Sequence, residues 1–189
     1  ESVSAQVGSE LAERGALAMV VALLLIFVYV MIRFQWKFSA GAVAALAHDA
    51  IVTVGFFSIF RFPFDLTVVA AVLAVIGYSL NDTVVAFDRI RENFLSLRGV
   101  SAEEAMNTSI NEMLARTLIT GLTTLLVLVA LLVLGGESIA PFSIALIVGI
   151  IVGTYSSIYT ASATALMLNV NPQDLIEPIK HPELIDDLP

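Results

Sequence analysis

Five long apolar runs constrain the fold of this chain more than any other feature of its sequence. They cover approximately Ala16–Ile32, Ala40–Phe60, Leu66–Phe87, Thr117–Leu134 and Phe142–Leu168. A run of about 20 apolar residues is long enough to cross a bilayer as a helix. Backbone groups in lipid must also be hydrogen-bonded within the segment, which favours helices over strands. We therefore predict an all-α protein, a polytopic membrane bundle with five transmembrane helices.

Composition supports this class and argues against several others. Of the residues, 58% are apolar and 14% are charged, whereas soluble domains are about half apolar and about a quarter charged. No basic patch predicts binding to nucleic acid. Neither a nucleophilic triad nor a phosphate-binding glycine loop is evident, so we do not predict an enzyme. The chain has no cysteine and only two histidines, so we predict no metal and no other cofactor.

The lysines and arginines predict an orientation in the membrane. Only two fall on the side of the bundle where the N-terminus lies, while the opposite side carries Arg33, Lys37, Arg89, Arg91, Arg98, Arg116 and Lys180. Cytoplasmic loops carry an excess of positive charge, so we expect the N-terminus outside and the C-terminus in the cytoplasm. Residues 1–15 would then end an extracytoplasmic region, residues 16–168 would form the transmembrane domain, and residues 169–189 would form an acidic cytoplasmic tail.

Two further expectations follow from the segments outside the apolar runs. An outside N-terminus without a signal segment ahead of the first span predicts a longer natural protein with at least one earlier span. Between the third and fourth spans, Ser101 and Glu104 form a capping-box pattern that is followed by apolar residues at helical spacing. We predict an interfacial helix over about residues 101–114 on the cytoplasmic surface.

Asp82 is the most costly polar residue in an apolar run. It lies six residues before Asp88, which places it ~9 Å inside the inner boundary. A charge at the bilayer centre costs at least ~2.5–3.5 kcal/mol, so such a residue is a functional candidate. Tyr78 and Ser79 precede it by one helical turn and Asn81 is adjacent. The alternative is a structural carboxylate held by hydroxyl groups or by an arginine.

His48-Asp49 in the second span and Arg116 before the fourth span are the other candidates. The histidine and the aspartate could pass protons, because histidine titrates near neutral pH, or they could fix helix packing; the sequence leaves both open. Arg116 could be a snorkelling anchor. Since the third span ends and the fourth begins on the same side, Arg116 could also meet Asp82 and form a switchable proton site.

Small residues in the fifth span predict close helix packing. Gly149, Gly153, Ser157 and Ala161 recur at four-residue spacing, which gives a smooth face for a neighbouring helix. The charged residues from Asp88 to Glu92 are explained by a helix that leaves the membrane, so we assign them no chemistry.

Several of these segments together resemble the SecF family of bacterial protein-export membrane proteins. The residues that carry the resemblance are AHDAIVTVGFFSIF, DLTVVAAVLAVIGYSLNDTVVAFDRIRENF, RTLITGLTTLLVLVALLVLGG and FSIALIVGIIVGTYSSIYTASA. The family is similar to the RND-type exporters in its membrane fold. The resemblance implies six spans with a periplasmic domain between the first two, so this chain would be the C-terminal five-span part in the inner membrane.

The resemblance also implies partners and site residues. The partners would be SecD, the Sec translocon (SecY, SecE and SecG), YajC, unfolded exported polypeptides and membrane lipid. SecD and SecF would use the proton-motive force to complete export, with the proton as the coupling ion. The family's proton-pathway residues correspond to Asp82 and Arg116, with His48 and Asp49 in support and a third carboxylate on the SecD half. The alternatives are half of an RND-like exporter of small molecules or lipids and a purely structural partner.

Overall fold

The computed structural model describes residues 5–97 and 99–171, and within them it contains six helices and no strand. They are α1 (Ala5–Arg33), α2 (Trp36–Phe60), α3 (Leu66–Ser96), α4 (Ala102–Leu134), α5 (Ala140–Ile158) and α6 (Thr160–Met167). Five segments are long and apolar enough to cross a membrane, with α5 and α6 together forming one of them. The predicted all-α bundle with five transmembrane helices is therefore confirmed. Most of the predicted acidic tail lies outside the described residues.

The helix boundaries follow from local chemistry. Asp65 caps α3, because its Oδ1 accepts hydrogen bonds from the backbone N–H groups of Thr67 (2.9 Å) and Val68 (3.1 Å). Ser101 caps α4 by accepting from the N–H of Glu104 at 3.1 Å. Side-chain oxygens at these positions satisfy N–H groups that have no partner within the helix. At the other end of α2, Arg61 adopts a left-handed conformation (φ 56°) that ends the helix.

The predicted interfacial helix is not a separate element. Residues 101–114 were expected to lie on the membrane surface, but α4 continues without a break from Ala102 to Leu134. One face of its first half is packed against the bundle, where Ala105, Met106 and Met113 are buried. Of the apolar residues that suggested an interfacial face, Ala105, Met106 and Met113 are buried against protein, and Ala102, Ile110 and Leu114 are partly buried.

A slight irregularity at Tyr159 divides the predicted fifth span into α5 and α6. The backbone ladder nearly continues there, since Tyr159 N donates to Tyr155 O at 2.9 Å and Ala163 N donates to Tyr159 O at 2.8 Å. Nearby hydroxyl groups bond back to the helix, as in Ser156 Oγ to Gly153 O at 3.2 Å. Such side-chain bonds compete with the helical ladder and often bend a helix.

Three apolar clusters hold the bundle together. The largest surrounds a group of mutually packed rings, Phe34, Phe38 and Phe87, in which the Phe38 and Phe87 centroids lie 4.8 Å apart. Two smaller clusters join α2 to α3 around Leu46 and join α2, α3 and α5 around Phe57. Large apolar side chains on the outer faces of the helices remain exposed. That distribution suits a lipid environment, in which apolar side chains can face outward.

Candidate functional site

Two aspartates are buried within the bundle, one on α2 and one on α3. Asp49 has no exposed surface and Asp82 is 8% exposed. Each is surrounded by different chemistry. Both oxygens of the Asp49 side chain have a hydrogen-bond partner, whereas Asp82 Oδ2 is buried and has none.

Asp49 belongs to a hydrogen-bonded junction of three helices. Ser79 Oγ on α3 donates to Asp49 Oδ2 at 2.6 Å. Ser157 Oγ on α5 donates to the carbonyl oxygen of Ser79 at 3.0 Å and lies 3.0 Å from Ser79 Oγ. All three residues are fully or almost fully buried. The junction therefore ties α2, α3 and α5 together at one level of the bundle.

The second oxygen of the Asp49 carboxylate faces His48. His48 Nδ1 lies 3.2 Å from Asp49 Oδ1, and the histidine side chain is 39% exposed. Thr53 Oγ1 donates to the backbone oxygen of Asp49 at 2.7 Å. The buried carboxylate is thus linked through His48 to the surface of the chain, and both its oxygens have partners.

The predicted packing glycines lie against this junction. A Cβ atom on Gly153 would lie 3.2 Å from Ser79 Cβ and 3.4 Å from Asp49 Oδ2. A Cβ atom on Gly149 would overlap the side chain of Val75. These two positions allow α5 to approach α3 closely. Together with Ser157, these two glycines form the face of α5 that packs on α3.

Asp82 on α3 lacks the hydrogen bonds that Asp49 has. Its Oδ2 atom is one of three buried side-chain atoms on this helix that lack a hydrogen-bond partner, with Tyr78 Oη and Thr83 Oγ1. A buried polar atom without a partner is costly and calls for an explanation. The polar residues around Asp82 on α3 therefore differ in their surroundings. Ser79 bonds to Asp49 and Asn81 is exposed, whereas Tyr78 Oη, Asp82 Oδ2 and Thr83 Oγ1 are buried without a partner.

Arg116 on α4 acts on Asp82 through its charge. The two side chains do not form an ion pair within 4.0 Å, and neither is paired with another side chain among the described residues. Arg116 is exposed and lines a groove of about 370 Å³ between α3 and α4. The two predicted proton-pathway residues are therefore near enough for their charges to interact, but they form no direct ion pair.

Charged side chains beyond Asp82 form contacts that the sequence analysis did not identify. Glu112 Oε2 on α4 accepts hydrogen bonds from Arg89 Nε and from Asn93 Nδ2 on α3, each at 2.7 Å. Arg33 at the end of α1 pairs with Asp88 at 2.9 Å. Spacing along the sequence can indicate only pairs within one helix, whereas bonds between helices depend on how the helices pack.

No group of three metal-ligating side chains occurs in the described part of the chain. What the buried residues offer is therefore acid–base and charge chemistry. A carboxylate oxygen with no bonded partner can take up a proton without first breaking a hydrogen bond. An arginine guanidinium carries a positive charge and donates hydrogen bonds only. The two groups together can respond to a proton by changing their attraction.

Comparisons with known proteins identify the family. Residues 1–171 match the family described as protein export membrane protein SecD/SecF, C-terminal. The protein translocase subunit SecF of Pseudomonas aeruginosa is 52% identical over 189 residues, which is 100% of this chain and 61% of that protein. That of Vibrio alginolyticus is 54% identical over 178 residues, 94% of this chain and 56% of that protein. The chain thus spans little more than half of these relatives.

Solved structures agree with this result. The crystal structure of SecDF from Thermus, described as a translocon-associated membrane protein, is 44% identical, with a TM-score of 0.82 over 88% of this chain and 23% of that chain. A second SecDF structure, in a super-membrane-facing form, is 45% identical with a TM-score of 0.79, over 85% of this chain and 22% of that chain. This chain is therefore a multi-pass protein of the bacterial inner membrane, and it belongs to the SecD/SecF C-terminal family of protein export membrane proteins.

Proposed function

We propose that the chain is the membrane part of a SecF subunit that uses the proton-motive force, with SecD, to complete protein export. It acts beside the Sec translocon (SecY, SecE and SecG), with YajC as a further partner and unfolded polypeptides as cargo. Its relatives are named as translocase subunits, and the similar solved chains are SecDF. The protein is a transport subunit rather than an enzyme, and it requires no cofactor besides the proton that it couples.

The observation that carries this proposal is the state of Asp82. Its Oδ2 is buried and lacks a hydrogen-bond partner, and Arg116 is the nearby charge that acts on it. A buried carboxylate that serves only structure is normally paired or hydrogen-bonded, as Asp49 is. Asp82 fits better a group that must gain and lose a proton during a working cycle.

The coupling step would follow from the charges of two side chains. Protonation of Asp82 removes its negative charge and thereby its attraction to Arg116. Because α3 and α4 carry these two residues, the balance between two arrangements of the helices changes with the proton. We propose that this motion is transmitted to a periplasmic domain and to SecD. The proton would move down its gradient towards the cytoplasm, which is opposite to the side where the distribution of lysine and arginine predicts the N-terminus.

Substitution of Asp82→Asn in the full-length protein tests the proposal. Asparagine keeps the size and hydrogen-bonding ability of the side chain but cannot exchange a proton near neutral pH. We expect proton-dependent export into membrane vesicles to be lost, with unchanged abundance and co-purification with SecD. Glu103→Gln is a matched control, since Glu103 is an exposed acid in the first turn of α4 and should have no effect.

Two alternatives make different predictions in the same assay. If the polar residues serve only to pack SecD against this chain, export should survive loss of Asp82 and Arg116 as long as the complex forms. If the chain is half of an RND-like exporter, the Asp82→Asn variant should impair efflux of small molecules or lipids and leave protein export unchanged. Similarity to SecF subunits over 94–100% of the chain supports protein export instead.

A further inference from the structure

We propose that Arg89 and Asn93 are positioning residues that hold Glu112 away from Arg116, so that Arg116 remains available to Asp82. This inference rests on the proposed proton site and adds a function for the DRIREN segment of α3. The four residues Arg89, Asn93, Ser109 and Glu112 are called the α3–α4 clamp below.

The clamp joins the two helices through one carboxylate oxygen. Glu112 Oε2 accepts hydrogen bonds from Arg89 Nε and Asn93 Nδ2, both at 2.7 Å. Asn93 Nδ2 also donates to Ser109 Oγ at 3.0 Å, and Ser109 Oγ donates to Ala105 O at 2.7 Å. The donors are one turn apart on α3, and the acceptors are about one turn apart on α4. A shift of either helix by one turn would break these bonds.

The clamp residues differ in exposure, and exposure affects how firmly each bond holds Glu112 to α3. The side chains of Arg89 and Glu112 are 37% and 40% exposed, so their ion pair alone would be screened by water and weak. Asn93 is only 5% exposed. A buried amide that loses its acceptor is left with an unsatisfied donor, so Asn93 and Arg89 together favour the position in which Glu112 faces α3.

Without the clamp, Glu112 has another partner close at hand. Glu112 and Arg116 stand at i and i+4 on α4 with the acid N-terminal to the base, which is the favourable arrangement for a pair on one helix. They nevertheless form no ion pair within 4.0 Å. The carboxylate is occupied instead by the two donors from α3. Both side chains line the same groove between the helices, so the competing pair requires only a side-chain rotation.

The consequence concerns the charge that acts on Asp82. If Glu112 paired with Arg116, the positive charge next to Asp82 would be neutralised before a proton arrived. The clamp prevents this neutralisation by keeping Glu112 bonded to α3. Arg89 therefore does not touch the proton in this scheme; it acts through Glu112.

Three variants of the full-length protein with SecD distinguish this role from a simple structural tie: Arg89→Gln, Glu112→Gln and the double substitution. Proton-dependent export is measured over a range of pH, with Asp82→Asn as the reference for a broken proton site. We expect Arg89→Gln to reduce the export rate by about twofold or more. The substitution frees Glu112 to pair with Arg116, and an i,i+4 ion pair on a helix changes an equilibrium by about that factor. Glu112→Gln should remain near the parent, and the double variant should regain the parental rate and pH profile.

Controls separate the effect from loss of charge or folding. Arg91→Gln removes the same charge from the same helix, but Arg91 does not bond to Glu112 in the described part of the chain, so the variant should behave as the parent. Arg89→Lys keeps a donor and should largely rescue. Membrane abundance and co-purification with SecD are recorded for each variant. If Arg89→Gln does not accumulate, Asn93→Ala alone and with Glu112→Gln gives the same comparison.

Two results would overturn the inference. One is a Glu112→Gln variant as impaired as Arg89→Gln with no recovery in the double variant, which would make the clamp a structural tie. The other is an unaffected Arg89→Gln variant beside an inactive Asp82→Asn variant. If Asp82→Asn itself exports normally, it is the proposed proton function that fails.

Discussion

Replacement of Ser79 by alanine tests whether the junction at Asp49 stabilises the bundle. Ser79 Oγ donates to Asp49 Oδ2 at 2.6 Å and contacts Ser157 Oγ at 3.0 Å, in a region with no exposed surface. Ser79→Ala removes a donor and leaves the buried Asp49 carboxylate with His48 as its remaining side-chain partner. Asp49 and Ser79 lie on different helices, so the loss should weaken the packing of α2 on α3.

The expected magnitude follows from the burial of the acceptor. A hydrogen bond between helices in a membrane contributes ~0.6 kcal/mol on average and up to ~1.7 kcal/mol. A buried acceptor that loses its partner costs about 1–3 kcal/mol. Because Asp49 is fully buried and has few other partners, we expect the upper part of this range, a loss of about 1.5–2.5 kcal/mol in the free energy of unfolding.

Denaturant unfolding in mild detergent would measure this loss, and Ser156→Ala is the matched control. Ser156 is also fully buried on α5, but its hydroxyl donates only to Gly153 O of its own helix. Its removal leaves no acceptor without a helical bond, so its effect should be small. Equal effects of Ser79→Ala and Ser156→Ala would refute the reasoning, since they would show that the bond between helices contributes no more than a local one.

Two further predictions concern packing and capping. Gly149→Ala should destabilise the bundle by about 1–3 kcal/mol through overpacking, because a Cβ there overlaps Val75; Val75→Ala in the same chain should restore much of the loss, as measured by the same unfolding assay. Asp65→Ala should cost about 0.5–2 kcal/mol through loss of the α3 cap. Burial of Asp65 opposes its ionisation, but hydrogen bonds from the Thr67 hydroxyl and from the N–H groups of Val68 and Thr67 outweigh burial and lower its pKa. The cap is therefore at full strength above the ordinary aspartate pKa and weakens as the pH falls through the lowered value, so the difference between parent and Asp65→Ala should shrink in acid; a constant difference would contradict this.

Much of the helical architecture could be predicted because it depends on local properties of the chain. The length of an apolar run decides whether a segment can cross the membrane, and the Ser101–Glu104 pattern correctly marked the start of a helix. The small residues at Gly149, Gly153 and Ser157 were recognisable from their spacing alone, and the structure places them against α3. Their contacts with α3 could not be assigned from that spacing.

The first half of α4 shows where local reasoning failed. The capping-box pattern at Ser101 and Glu104 and the apolar residues at helical spacing after it suggested a surface helix separate from the fourth span. In the bundle, Ala105 and Met106 are buried in the same cluster as Phe87 and Phe94 of α3, and Glu112 is bonded to Arg89. Packing against a neighbouring helix can thus extend a helix beyond its lipid-compatible part.

The sequence by itself determined the class of protein, the number of spans and the identity of Asp49, Asp82 and Arg116 as costly polar residues, since apolar length and intramembrane charge are properties of one segment. Only the tertiary structure decided their partners. It bonded Ser79 to Asp49, left Asp82 Oδ2 without a hydrogen bond, and bonded Glu112 of α4 to Arg89 of α3. The physical reason is that a partner across the bundle depends on how each helix is rotated about its axis and on its height relative to its neighbours. Both are set by the packing of all the helices together.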